Sequence, residues 1–187
     1  MTPRPTVASA IGARVVATRG ATRDLFGEVG VENVLAMLAA DERALFTGAT
    51  PPKWVPEQTY IAWTRAVYAG PAGRDSATLA RWVDRVTDRG FGAARRMLMS
   101  LASPWVIVRR AGALWRGEHS HGELTSAPLG DNSARFELRD SPYAVDDLGA
   151  SAISEAFRYI LFRCRVKWAT EEHRRIGDAL HVELRWG

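Results

Sequence analysis

Leu180-His181-Val182-Glu183-Leu184-Arg185-Trp186 alternates without interruption, with Leu180, Val182, Leu184 and Trp186 apolar and His181, Glu183 and Arg185 polar. A period of two over seven residues marks a strand with one face in a core and the other face wetter. Ala134, Phe136 and Leu138 obey the same rule against Arg135, Glu137 and Arg139. Gly130-Asp131-Asn132 reads as the turn that joins this strand to an earlier one, in which His119, His121 and Glu123 alternate with smaller residues up to Pro128. Ser141-Pro142 closes that hairpin. A helix follows, with Ser151 as its cap and Ile153, Phe157, Ile160 and Leu161 on one face. Cys164, Val166 and Trp168 then alternate with Arg165 and Lys167, and after a loop the last strand completes a second hairpin. Alternation in every strand predicts an antiparallel sheet covered on one side.

Upstream the period changes to 3.6. Val31, Val34, Leu35, Leu38 and Leu45 form one apolar stripe, ended by Pro51-Pro52 and Pro56. Tyr60, Trp63, Val67 and Tyr68 resume it until Gly70-Pro71. Asp75 or Ser76 caps a further helix with Leu79, Val83 and Val86 inward. A short helix from Ala93 to Leu101 follows, and Ser103-Pro104 opens another that runs to about Trp115. Residues 1–20, with Arg4, Arg14 and Arg19 among small side chains, read as a loose leader without a secretory h-region. The order predicts an α+β fold, with N-terminal helices packed on one face of an antiparallel sheet made of two hairpins flanking a helix. It predicts one domain over 1–187, mainly helical over 21–116 and hairpin–helix–hairpin over 117–187.

The chain has 187 residues, 47% hydrophobic and 25% charged, an ordinary globular composition. No apolar run approaches the roughly 18 residues of a membrane span. One cysteine, Cys164, excludes an internal disulfide framework and suits a reducing, cytoplasmic compartment. The sequence pI of 9.7 comes from 23 Arg and two Lys, with 15 basic and 9 acidic residues up to Arg110 and 10 and 12 beyond it. The densest run, Arg81, Asp84, Arg85, Asp88 and Arg89, interleaves its signs one helical turn apart, as a solvated face does. Nucleic acid is therefore not the expected partner.

Catalytic grammar is missing. There is no Gly-x-Ser-x-Gly, no phosphate-binding loop and no His-Glu-x-x-His, and Gly27 and Gly30 follow no strand that would make them a dinucleotide fingerprint. Cys164 lies between Arg163 and Arg165, which would favour a thiolate, but a buried inert thiol fits its apolar neighbours better. His119, His121, His173 and His181 are all the histidines of the chain, and zinc accepts imidazole as well as thiolate ligands. Exposed sheet histidines are the plainer reading. Met97, Trp105, Trp115 and Phe157 suggest an apolar lining for a small ligand, or equally an ordinary packed core.

The run His173-Arg-Arg-Ile-Gly177-Asp178-Ala-Leu-His181, followed by its alternating strand and Trp186, resembles the closing signature of 4-vinyl-reductase-like small-molecule-binding domains. Those domains carry cysteines where His173 and His181 stand. Gly12, Phe26-Gly27-Glu28 with Leu35, Trp54-Val-Pro56, Trp115-Arg116 and His121-Gly122-Glu123-Leu124 are similar to an uncharacterised myxobacterial paralogous family. The resemblance spans about residue 12 to the end. It implies the α+β superfamily shared by haem-based nitric-oxide sensors, 4-vinyl-reductase-like sensors and small TRAPP subunits, whose members are often dimers holding an apolar ligand.

The resemblance implies a non-enzymatic, sensor-like domain that binds an apolar small molecule at Met97, Trp105, Trp115 and Phe157 and signals through a protein partner. The alternatives are an adaptor without ligand and a metal site on His119, His121, His173 and His181. No cofactor is fixed by these residues. The haem sensors of that superfamily use a proximal His and a Tyr-x-Ser-x-Arg clamp. Tyr159-Ile-Leu161-Phe-Arg163 keeps only the ends of that clamp, so haem is not the expected cofactor.

Overall fold

The computed structural model describes residues 5–51 and 53–187, and of 93–95 the backbone only. Arg4 and Pro52 therefore lie outside the described residues. The chain divides at Gly90 into two compact units, so the helical stretch expected over 21–116 contributes to both.

The first unit begins with β1 (Ser9–Ile11), paired antiparallel with β2 (Trp54–Pro56) so that Ala10 faces Val55. Neither strand is visible in the sequence, because three residues are too few to show a period. Helix α1 (Ala13–Met37) begins well inside the expected leader. It breaks at Gly27, whose φ of 69° and ψ of −174° only glycine adopts without strain. Arg23 and Glu28 form an exposed ion pair across the break. Helix α2 (Ala40–Gly48) turns back with Phe46 buried, α3 (Glu57–Ala69) buries Trp63, and α4 (Ser76–Gly90) packs along α1. Asp75 caps α4 by accepting the Thr78 N–H at 2.8 Å.

The core of this unit is a stack of Phe46 on Trp63 at 4.0 Å, with Tyr60 edge-on. Beside it the Thr22 hydroxyl accepts from both Trp63 Nε1 (3.1 Å) and Trp82 Nε1 (3.0 Å) and donates to the Thr18 carbonyl. Asp24 holds α4 to α1 through a two-point bond from Arg89, both contacts 2.7 Å.

The second unit opens with α5 (Ala93–Leu101) and α6 (Pro104–Glu118), the latter entered by Ser103 with Pro104 in its first turn. Strands β3 (Glu123–Gly130) and β4 (Ser133–Arg139) form the first hairpin. Helices α7 (Pro142–Val145) and α8 (Asp147–Phe162) follow, and β5 (Ala169–Ile176) with β6 (Ala179–Trp186) makes the second hairpin. The sheet order is β3-β4-β6-β5, antiparallel throughout, which gives the expected α+β class.

Phe136 sits opposite Val182 and Leu138 opposite Leu180, so β4 and β6 bury one shared face. Helix α6 lies on β3 closely enough that a Cβ at Gly112 would sit 2.6 Å from the Leu124 carbonyl oxygen. The other sheet face carries Arg135, Glu137, His181 and Glu183, with the Arg135–Glu183 pair at 2.7 Å.

Three local expectations change. Helix α8 starts at Asp147, capped by Asp146 accepting the Gly149 N–H at 2.7 Å, and Ser151 lies inside it. Residues 164–168 form the exit turn of α8 rather than a strand, with Arg165 at positive φ. Residues 119–122 precede β3 rather than belonging to it.

Candidate functional site

Extending α6 to Glu118 puts Trp115 and His119 one turn apart on the same side, since residues i and i+4 are neighbours on a helix. His119 caps the helix with its own N–H on the Trp115 carbonyl (2.8 Å), and its imidazole lies flat on the indole at 3.6 Å and 3°. The Trp115 Nε1–H donates to the His121 carbonyl at 2.9 Å, which fixes the indole.

Ser141 and Pro142 start α7 so that Tyr143 points inward, edge-on to Trp115 (6.3 Å) and to His119 (6.0 Å). Phe157 of α8 meets Trp115 edge-on at 6.4 Å and stacks on Phe136 of β4 at 5.4 Å. All five rings are buried. The arrangement offers stacked and T-shaped aromatic surface with one imidazole in it, which suits planar apolar groups and contains no nucleophile paired with a base.

Of the four residues expected to line a ligand, the structure brings Trp115 and Phe157 together. Trp105 lies instead against Trp186 (5.2 Å, 73°) and donates to the Asp131 carbonyl at 3.2 Å. Met97 is 67% exposed on α5, so it lines no interior.

The four histidines do not converge. His121 bonds through Nδ1 to Ser120 Oγ at 2.8 Å. His173 is opposite Val182, on the helix-covered face, where its ring nitrogens meet Glu171 Oε2 (3.0 Å) and Ser151 Oγ (3.4 Å). Glu171, hydrogen-bonded to the ring, raises its pKa against the opposing effect of burial. His181 is opposite Arg174 and Glu137, on the other face, with Nε2 3.5 Å from Glu137 and a buried Nδ1 without a hydrogen bond. Alternation thus separates His173 from His181, and no group of three or more His, Cys, Asp or Glu among the described residues could hold a metal ion.

Cys164 is buried at the end of α8, donating to the Ile160 carbonyl at 3.4 Å, and burial pushes its thiol up to about 11. Tyr159 and Arg163 lie on α8 and at its C-cap, with Leu161 between them fully buried in the core. Sequence reasoning missed His119 as a ring partner because α6 was ended at Trp115. The i, i+4 spacing was the available signal. It also passed over Ser154, whose buried Oγ has no hydrogen bond.

The sequence matches no family model, and no curated protein matches it. Solved structures do match. An Fe(II) unliganded H-NOX protein from K. algicida superposes with a TM-score of 0.71 at 8% identity, over 95% of this chain and 96% of that one. An oxygen-binding H-NOX domain related to soluble guanylate cyclases, in its oxygen complex, gives 0.60 at 11% identity, over 94% of each. A chain described for modulating heme redox potential through protein-induced porphyrin distortion gives 0.58 at 11% identity, over 94% of this chain and 98% of that one.

At these identities the likeness shows a shared fold, that of H-NOX proteins. It also overturns one expectation. Heme is named for a chain of this same fold, so the fold points toward haem, and the reading of no fixed cofactor with haem disfavoured does not stand.

Proposed function

We propose that residues 1–187 form a sensor-like ligand-binding domain that holds a planar, largely apolar molecule. Haem is the first ligand to test. The observation that carries this reading is the full-length likeness to H-NOX structures, the first at a TM-score of 0.71. The buried cluster of Trp115, His119, Phe136, Tyr143 and Phe157 in the second unit supports it from the residues.

A bound haem needs an axial ligand, which can be His, Cys, Met or Tyr, and apolar walls. The aromatic rings supply the apolar character. The ligand is not evident: His119 lies flat on Trp115, His121 engages Nδ1 with Ser120, His173 engages both ring nitrogens, and the unpaired Nδ1 of His181 lies on the charged sheet face. The aromatic cluster thus fits the apolar body of the group, no axial ligand is assigned, and no step is derived through the metal. The chain's own contribution is to exclude water around the rings and to hold them rigid through Trp115 Nε1 and the α7 cap.

Signalling through a protein partner, a homodimeric state and a cytoplasmic location belong to the same reading. Hemin titrated into the purified full chain tests it, read by a Soret band and by native mass. Stoichiometric uptake, or a co-purifying apolar molecule extracted by solvent, supports the reading. A chain that takes up no hemin and releases no small molecule overturns it.

A further inference from the structure

Helix α5 is amphipathic the wrong way round. Met97, Leu98 and Leu101 fall within about one third of the helix circumference, and they are 67%, 68% and 57% exposed. Met99, on the opposite side, is buried. A run of large apolar side chains held out into water on one short helix marks a surface that meets something other than water.

The stretch of sequence that contains it is one-sided in charge. Phe91 to Gly117 contains Arg95, Arg96, Arg109, Arg110 and Arg116 and not one Asp or Glu, whereas the chain as a whole nearly balances its 25 basic and 21 acidic residues. Arg109, Arg110 and Arg116 are exposed on α6, which follows α5 directly. An occupant must therefore offer an apolar layer and diffuse negative charge. A second copy docking through this same face would set arginines against arginines, a like-charge juxtaposition that costs affinity.

Three side chains that each stand more than half clear of the surface form a ridge, and a ridge needs no shaped groove in a partner if that partner is soft. We propose that α5 is a peripheral docking element for an anionic lipid bilayer. Met97, Leu98 and Leu101 enter the boundary between headgroups and acyl chains, while Arg109, Arg110 and Arg116, exposed on α6, keep their guanidinium groups among the phosphates. No described helix is long and apolar enough to cross a membrane, so the contact is to one surface only. This inference goes beyond the ligand-binding reading and does not rest on it.

The test is co-sedimentation of the full chain with phosphatidylcholine vesicles, with and without about one third phosphatidylglycerol. Binding is expected to the anionic vesicles and to fall at least tenfold when salt is raised to about 0.5 M, where charges are screened. Leu98→Asp and Met97→Asp should each weaken it tenfold or more with unchanged circular dichroism and unfolding midpoint, because both side chains are already in water. Val29→Asp, equally exposed at 67% on α1 but outside the cationic stretch, should bind as the parent does. Indifference to anionic vesicles overturns the proposal, as does binding that survives Leu98→Asp. So does a Leu98→Asp variant that ignores vesicles but changes oligomeric mass, which would assign the ridge to a second copy of the chain.

Discussion

Thr22 has one hydroxyl and three partners, accepting from two indole N–H groups and donating to the Thr18 carbonyl. A hydroxyl offers one donor and two acceptor sites, so the group is saturated. Thr22→Val keeps the shape and strands two buried N–H groups, each costing about 1–3 kcal/mol. The expected loss is about 2–6 kcal/mol in a denaturant titration, whereas Thr22→Ser keeps the hydroxyl and should lose about 1 kcal/mol. Cys164 makes a second expectation at this scale. With its thiol pushed up to about 11 and its side chain buried, a thiol reagent at about pH 8 should label the native chain far more slowly than the unfolded one. Labelling at the unfolded rate would contradict that burial.

The ends of helices and the edges of the sheet are where sequence and structure part. The exit turn after α8 mimics a strand because five residues alternate there, yet the chain reverses at Arg165 and only then enters β5. Strand β5 itself carries Glu171, Glu172, His173, Arg174 and Arg175, and so shows no apolar period. It is an edge strand, and charge on an edge prevents pairing with another chain. The His173–Glu171 pair on it gives stability a pH dependence. Because the folded pKa is raised above the ordinary 6.5, the folded state holds the proton more tightly. That contribution is complete below the unfolded value and is lost as pH rises through the folded one. Unfolding free energy should therefore decline slightly as pH climbs past neutrality, and Glu171→Gln should flatten the decline. At Gly27 open space surrounds the Cα, so Gly27→Ala meets no clash and tests the backbone alone. About 1–3 kcal/mol should be lost by thermal or chemical unfolding, because alanine at that φ and ψ is strained.

Two units make up the molecule, and the superposition on H-NOX structures spans nearly all of it at 8–11% identity, which few shared side chains can explain. If hemin is the ligand, saturating it at about 100 times its Kd should add about 2.7 kcal/mol and raise the unfolding midpoint by several degrees in a scan with and without hemin. An unchanged midpoint would count against binding to the native state. By itself the sequence determined the α+β class, the antiparallel pairing, the inward faces of β4 and β6 and the run of helices, because periods of two and 3.6 are written in consecutive residues. Only the tertiary structure decided that His173 and His181 face apart, that Trp105 joins Trp186 instead of Trp115, and that Met97 stands in water. Those outcomes depend on which strands pair and which side of a helix meets the sheet, and such long-range contacts leave no trace in local spacing.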